Sequence, residues 1–209
     1  HIARASRIAR ALVADGFDVT LVTGGTPVPG FPGEGIRHIE LPPIAVSDGN
    51  FAGLVDATGK PVDDAFKDDR TSMLLGAYHG ARPDIVIIEA FPFGRRQVRF
   101  ELMPLLSAID HSLERPLVMT SLRDILQERA KPGRDEETIA LVKKHFDTVL
   151  VHGDPDFVRL EDTFPLAHEI SQRIVYTGLV APARAETARD RFDVVVSAGG
   201  GAGGAKLIS

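Results

Sequence analysis

The sequence predicts an α/β fold built on a doubly wound parallel sheet, and three observations carry that expectation. Short β-rich runs alternate with helix-period segments along nearly the whole chain. The run Asp84 to Ile88 (DIVII) is continuously apolar, as in strands buried on both faces of a parallel sheet. A further strand, Asp193 to Ser197, runs straight into the glycine tract Gly199 to Gly204 (GGGAGG), as the opening of another strand–loop–helix unit would. Parallel neighbours need right-handed crossovers, and helices must cover the sheet, so this βαβα rhythm describes a Rossmann-like layer arrangement.

Taken in order, Ala5, Ile8, Ala9 and Leu12 recur at helical spacing and Asp15-Gly16 ends that helix, which places His1 at or just before its N-terminus. Strands are expected at Phe17 to Val22, closed by Gly24-Gly25, and at Ile36 to Leu41, closed by Pro42-Pro43. Ala45 to Asp63 is rich in turn formers and is expected to be a long surface excursion. A helix from about Asp64 to Arg82 leads to the apolar strand, with Glu89 at its C-terminal end. The alternation then repeats: a helix over Glu101 to Ala108, a strand over Pro116 to Thr120, a helix over Glu136 to Phe146 with Ile139, Val142 and Phe146 inward, and a strand over Thr148 to Val151. Arg173 to Thr177 is expected as another short strand. Residues 178–192, carrying Pro182 and many charges, have the character of a linker, so the predicted organisation is a domain over 1–177, the linker, and the first strand and glycine loop of a second domain over 193–209. A chain that starts on a helix and stops just after a helix-introducing loop is expected to be a fragment.

The bulk properties narrow the function classes. With 209 residues the chain holds one good core, or one domain and part of another, at roughly 100–200 residues per domain. The balance of 24 basic against 29 acidic residues gives a net charge of −5, so no global positive field recruits nucleic acid or an anionic membrane. The absence of cysteine excludes disulfide frameworks, thiolate metal sites and cysteine nucleophiles, and fits a cytoplasmic compartment. No apolar run reaches the ~20 residues of a spanning helix.

In open α/β sheets ligands bind beyond the C-terminal ends of the strands. Four groups are expected there: His1 with Arg4; Glu89 with Arg95 and Arg96; Arg123 with Asp124; and the glycines after Ser197. Backbone N–H groups of Gly199, Gly200, Gly201, Gly203 and Gly204, at a helix start, suit a diphosphate. Guanidinium forks at Arg95 and Arg96 suit phosphate or carboxylate groups, and a carboxylate closing an apolar strand needs a partner such as a nearby arginine. Arg99 is expected on a solvated face balanced by Glu101. Asp154-Pro155-Asp156 has the form of a helix N-cap and first position rather than a metal signature. His38, His79, His111, His145 and His168 are scattered without ligand spacing, so no metal site is expected.

These stretches resemble the glycosyltransferase-B superfamily, in particular the bacterial predicted glycosyltransferases similar to the enzyme that adds N-acetylglucosamine in peptidoglycan lipid synthesis. The resemblance rests on residues 1–25 (HIARASRIARALVADGFDVTLVTGG), on EAFPFGRRQ from Glu89, on SLRDIL from Ser121, VHGDP from Val151 and YTGLV from Tyr176, and on the glycine loop. It implies a strand and glycine turn ahead of His1 and a C-terminal donor-binding domain. It implies inverting transfer of a hexosyl group from a nucleotide-diphosphate sugar, such as a UDP-sugar, to an unknown hydroxyl acceptor, with no cofactor and no bound metal. Contact with a membrane surface is compatible with it. The acceptor would be held by Arg4, Arg95, Arg96, Arg123 and Asp124, and the donor diphosphate by the glycine loop; His1 would be the general base, with Glu89 as the carboxylate alternative. GGGAGG departs from the Gly-Gly-Ser-Gln-Gly-Ala form of the lipid-linked enzyme, so its sugar and acceptor do not carry over. A sugar-nucleotide epimerase of the same fold and a non-catalytic glycan- or nucleotide-binding module stand as alternatives. A nicotinamide-dependent oxidoreductase is disfavoured, because its glycine fingerprint opens the nucleotide-binding domain instead of following a βα array.

Overall fold

The computed structural model describes residues 2–28, 30–46, 53–123, 125–126, 132–182 and 192–194. Its elements follow in the order α1 (Ile2–Ala14), β1 (Thr20–Thr23), β2 (Arg37–Glu40), β3 (Ile44–Val46), β4 (Leu54–Asp56), α2 (Asp64–Ala81), β5 (Ile85–Glu89), α3 (Arg99–Asp110), β6 (Leu117–Arg123), α4 (Arg134–His145), β7 (Thr148–His152), α5 (Leu160–Thr163) and β8 (Ile174–Tyr176). The helix ends have local causes. The Asp63 carboxylate accepts the Phe66 N–H at 2.9 Å and starts α2, and Arg82 in the left-handed region (φ 43°) closes it on Tyr78. In α4, Asp135, Glu136 and Glu137 occupy the first turn and Lys143, Lys144 and His145 the last, each sign complementing the helix dipole.

The fold is α/β with parallel strands, as expected, but the strands fall into separate sheets. β5, β6, β7 and β8 form a four-stranded parallel sheet in sequence order, while β1 and β2 form a two-stranded parallel pair. Neither β1 nor β5 has a second neighbour among the described strands. The excursion after Pro43 is not wholly irregular: β3 and β4 pair antiparallel, with Asp56 turning the chain by accepting the N–H groups of Thr58 and Lys60. The strand expected over Asp193 to Ser197 lies largely outside the described residues. Asp154-Pro155 starts a turn rather than a helix, Asp154 accepting the Asp156 N–H at 2.9 Å.

One core joins the two parallel sheets. Leu41 beyond β2, Leu74 of α2, Leu106 and Ile109 of α3, and Val142 of α4 pack with Ile88, Val118, Leu122, Val149 and Val151 of the larger sheet. This is the covered face of that sheet. The alternate residues of the same strands face the other way, and there Ile85, Ile87, Leu117 and Val175 are exposed. The expectation that β5 is buried on both faces is therefore corrected: within the described residues its second face stays partly exposed at Ile85 and Ile87.

A buried ion pair ties the layers together. Arg70 of α2 bonds both carboxylate oxygens of Glu101 on α3 at 2.8 Å, and its other nitrogen reaches the carbonyls of Gly24 and Pro42, just past β1 and β2. Arg70 is 1% exposed, and every charge on it is met. Gly24 is glycine because of it: a Cβ there would sit 2.3 Å from the guanidinium. No helix of the described residues is long and apolar enough to cross a membrane.

Candidate functional site

The C-terminal ends of β5, β6, β7 and β8 bring together Glu89, Ser121, His152 and, one residue past β8, Thr177. In-register parallel strands place their ends on one edge, and these four side chains share the face that is otherwise apolar and exposed. Thr177 Oγ1 lies 2.6 Å from His152 Nδ1, His152 Nε2 lies 2.9 Å from Ser121 Oγ, and Ser121 donates to Glu89 Oε2 at 2.9 Å. Arg4, from the first turn of α1, pairs with the other Glu89 oxygen. The five residues form one continuous polar chain from the helix to the end of the sheet.

Electrostatics explain the pairing. A cation in the first turn of a helix meets the positive end of the dipole, and α1 has no acidic residue in that turn. The Glu89 carboxylate, delivered by the sheet, supplies the missing negative charge to Arg4 and to the helix start together. The centre of the chain is dry, with Ser121 2% and His152 6% exposed. Burial, and after it the Arg4 charge, push the His152 imidazole below its ordinary value of 6.5, while Glu89 pulls the other way. His152 is thus a neutral ring near pH 7. Toward solvent the network opens at Glu89, whose side chain keeps 26% of its surface. A carboxylate held by two donors and reachable from outside can accept a proton or a hydrogen bond from an incoming hydroxyl.

The turn after Glu89 shows how the EAFPFGRRQ stretch works. Ala90 adopts φ 64°, its N–H still donating to Ser121 O at 2.9 Å, and the cis Phe91–Pro92 bond follows. Phe91 and Phe93 are buried, Phe93 edge-on to Phe164 at 5.2 Å, and they anchor the turn to the core. Arg95 and Arg96, expected together, part company here. Arg95 sits in the left-handed region (φ 57°), exposed and with no side-chain partner among the described residues. Arg96 turns to α4, where it meets Glu137, the Arg134 carbonyl at 2.9 Å and Thr138 at 3.3 Å. Arg99 joins the same Glu137, so its counter-charge is Glu137 and not Glu101, which is spent on Arg70. Arg99 first, then Arg96, hold the Glu137 carboxyl below the usual carboxylate range.

Of the other expected residues, Arg123 ends β6 in register with His152 and is exposed, without a side-chain partner among the described residues. His1, Asp124 and the glycines Gly199, Gly200, Gly201, Gly203 and Gly204 lie outside the described residues. Ser121, His152 and Thr177 were not singled out from the sequence. The signal that finds them is positional: each is a polar residue at or just past the C-terminal end of an apolar strand. Among the described residues no group of three or more histidines and carboxylates could hold a metal ion. No family model, curated protein or solved structure matches the chain.

Proposed function

We propose that this chain is the acceptor-side domain of an inverting glycosyltransferase, with Glu89 at its reacting centre. The observation that carries the reading is the Arg4–Glu89–Ser121–His152–Thr177 chain, a held and solvent-reachable carboxylate at the C-terminal edge of a parallel sheet, where such folds take their ligands. The partition of the parallel strands into two sheets supports it too, since a strand between β1 and β5 would complete a doubly wound sheet of the kind the resemblance implies. In the transfer step the base takes the acceptor hydroxyl proton as that oxygen bonds to the anomeric carbon, while the bond from this carbon to the diphosphate oxygen breaks and its electron pair leaves with the nucleoside diphosphate. Glu89 is the base in this reading. Arg95, in the turn after β5, and Arg123, at the end of β6, are both exposed and in this reading hold anionic groups of the acceptor, and the loop from Gly199 to Gly204 holds the donor diphosphate.

The test is made on the full-length protein. Thermal shifts with UDP-, GDP- and dTDP-sugars are expected to single out one donor, at about 2.7 kcal/mol for a 100-fold excess over its dissociation constant. Release of nucleoside diphosphate is expected to need an acceptor; release without one identifies an epimerase or hydrolase instead. Glu89→Gln is expected to lower turnover by roughly 10²–10⁴ with donor binding kept. The same loss in His1→Ala, with Glu89→Gln near normal, moves the base to His1. Absence of any donor shift and of any turnover overturns the reading.

A further inference from the structure

Two groups of the polar chain are costly to bury and take no part in the transfer step as proposed. Ser121 and His152 are nearly inaccessible, and a buried hydroxyl or imidazole is tolerated only when its hydrogen bonds are met. Their partners are each other, Glu89 and Thr177, and the protons can be counted. Ser121 has one hydrogen, and it goes to the Glu89 carboxylate, which has none to give. The contact at 2.9 Å between Ser121 Oγ and His152 Nε2 therefore needs the hydrogen on Nε2. A neutral ring protonated there has a bare Nδ1, and the Thr177 hydroxyl meets it at 2.6 Å as donor. Every proton in the chain points toward Glu89.

The opposite tautomer has a definite consequence. With the hydrogen on Nδ1, Nε2 becomes an acceptor and competes for the Ser121 proton, so the hydroxyl can rotate off Glu89. Thr177 is the group that selects between the two states, because only its O–H favours a bare Nδ1. We propose that His152 is a positioning residue for Glu89, held as the Nε2–H tautomer by Thr177 so that the Ser121 hydroxyl stays locked on the carboxylate. This rests on the reading of Glu89 as the reacting group. Thr177 is also the first residue past β8, where the chain leaves the sheet, and its hydroxyl has other acceptors in reach, the Gly178 carbonyl at 3.2 Å and that of Val151 at 3.5 Å. A rearrangement of that segment would withdraw the donor from Nδ1 and loosen Glu89 from a distance.

The experiment has one arm that does not depend on activity. In uniformly ¹⁵N-labelled full-length protein, above the His152 titration, two-dimensional long-range ¹H–¹⁵N spectra identify which ring nitrogen carries the hydrogen, with His152 assigned by the signals lost in His152→Gln. Nε2–H is expected in the wild type and in Thr177→Ser, and admixture of the Nδ1–H form in Thr177→Val. An Nδ1–H ring in the wild type, or a tautomer unchanged in Thr177→Val, overturns the proposal whether or not the protein transfers sugar. In the activity arm, Thr177→Val and Ser121→Ala are each expected to lower kcat roughly 10- to 100-fold, the scale of one hydrogen bond to a charged group, with the donor KM kept. The double variant is expected to be no worse than the worse single. Additive losses in the double variant would show that the two act separately and overturn the relay. A transfer reading that fails leaves the spectroscopic outcome to stand by itself.

Discussion

The two faces of the four-stranded sheet are made by alternate residues of the same strands, yet they serve different ends. On one face Val118, Leu122, Val149 and Val151 are at most 1% exposed and share a core with α3 and α4. On the other, Ile87 and Leu117 are about two-fifths exposed, and the same row of side chains ends in Glu89, Ser121 and His152. The first face is almost wholly apolar, Thr120 being its buried exception among these strands. On the second the polar groups meet each other and the start of α1. The difference teaches that stability and site are divided by the pleat and not by segment, so a substitution two residues along a strand stays with one role and a substitution one residue along changes to the other.

The sharpest break on the covered side is expected at the Arg70–Glu101 pair. Removing either partner alone leaves a charge buried without its counter-ion, and Arg70→Met or Glu101→Leu is expected to cost about 3–5 kcal/mol in urea unfolding. The double apolar replacement is expected to recover most of that loss, because it buries no charge. A single Arg70→Met with stability near wild type would mean that this pair does not hold α2 against α3.

Next in size is the direct comparison of faces. Leu122→Ala opens a cavity behind a side chain that is 1% exposed and is expected to cost about 2–5 kcal/mol. Ile87→Ala, on a neighbouring strand but the other face, removes a side chain of a residue that is 39% exposed and is expected to cost much less. Equal losses would show that the second face is covered in solution, and would turn the exposed isoleucines into part of an interface.

Much of this was legible in the sequence, and what was not has physical causes. The helices at α1, α2, α3 and α4 follow from periodicity and caps, and Ile139, Val142 and Phe146 point inward as their spacing requires. DIVII reads as buried on both faces because an apolar run does not record which of its sides finds a partner; that depends on neighbouring elements. Glu89 and Arg4 were each expected near the strand ends, but their pairing is a contact over 85 positions that no local pattern announces. Arg70 sits in the polar-looking run Asp68-Asp69-Arg70, where nothing marks one charge as buried. The separate fates of Arg95 and Arg96 come from the contact of Arg96 with Glu137 over 41 positions, which the dipeptide itself does not record.

The smallest expected effect tests the polar end of the second face through its dependence on pH. The folded-state pKa of His152 lies below the ordinary 6.5, mainly because the ring is buried and next because Arg4 is close. Between that lowered value and 6.5 the unfolded chain therefore binds more protons than the folded one, and stability rises with pH across the window. The contribution of His152 is complete above about pH 6.5 and is lost progressively as the pH falls toward the folded pKa, with a slope that cannot exceed about 1.4 kcal/mol per pH unit for a single proton. Other histidines and carboxylates titrate nearby, so the quantity to measure is the difference between wild type and His152→Gln in urea unfolding from pH 5 to pH 8. That difference is expected to slope upward below pH 6.5 and to be flat above it. The neighbours fix its size: Arg4→Met removes a repelling charge, raises the pKa and shrinks the slope, whereas Glu89→Gln removes the attracting charge and widens the window downward. A difference that is flat throughout would mean that the ring is as well solvated in the folded chain as in the unfolded one, and would take His152 out of the dry centre of the site.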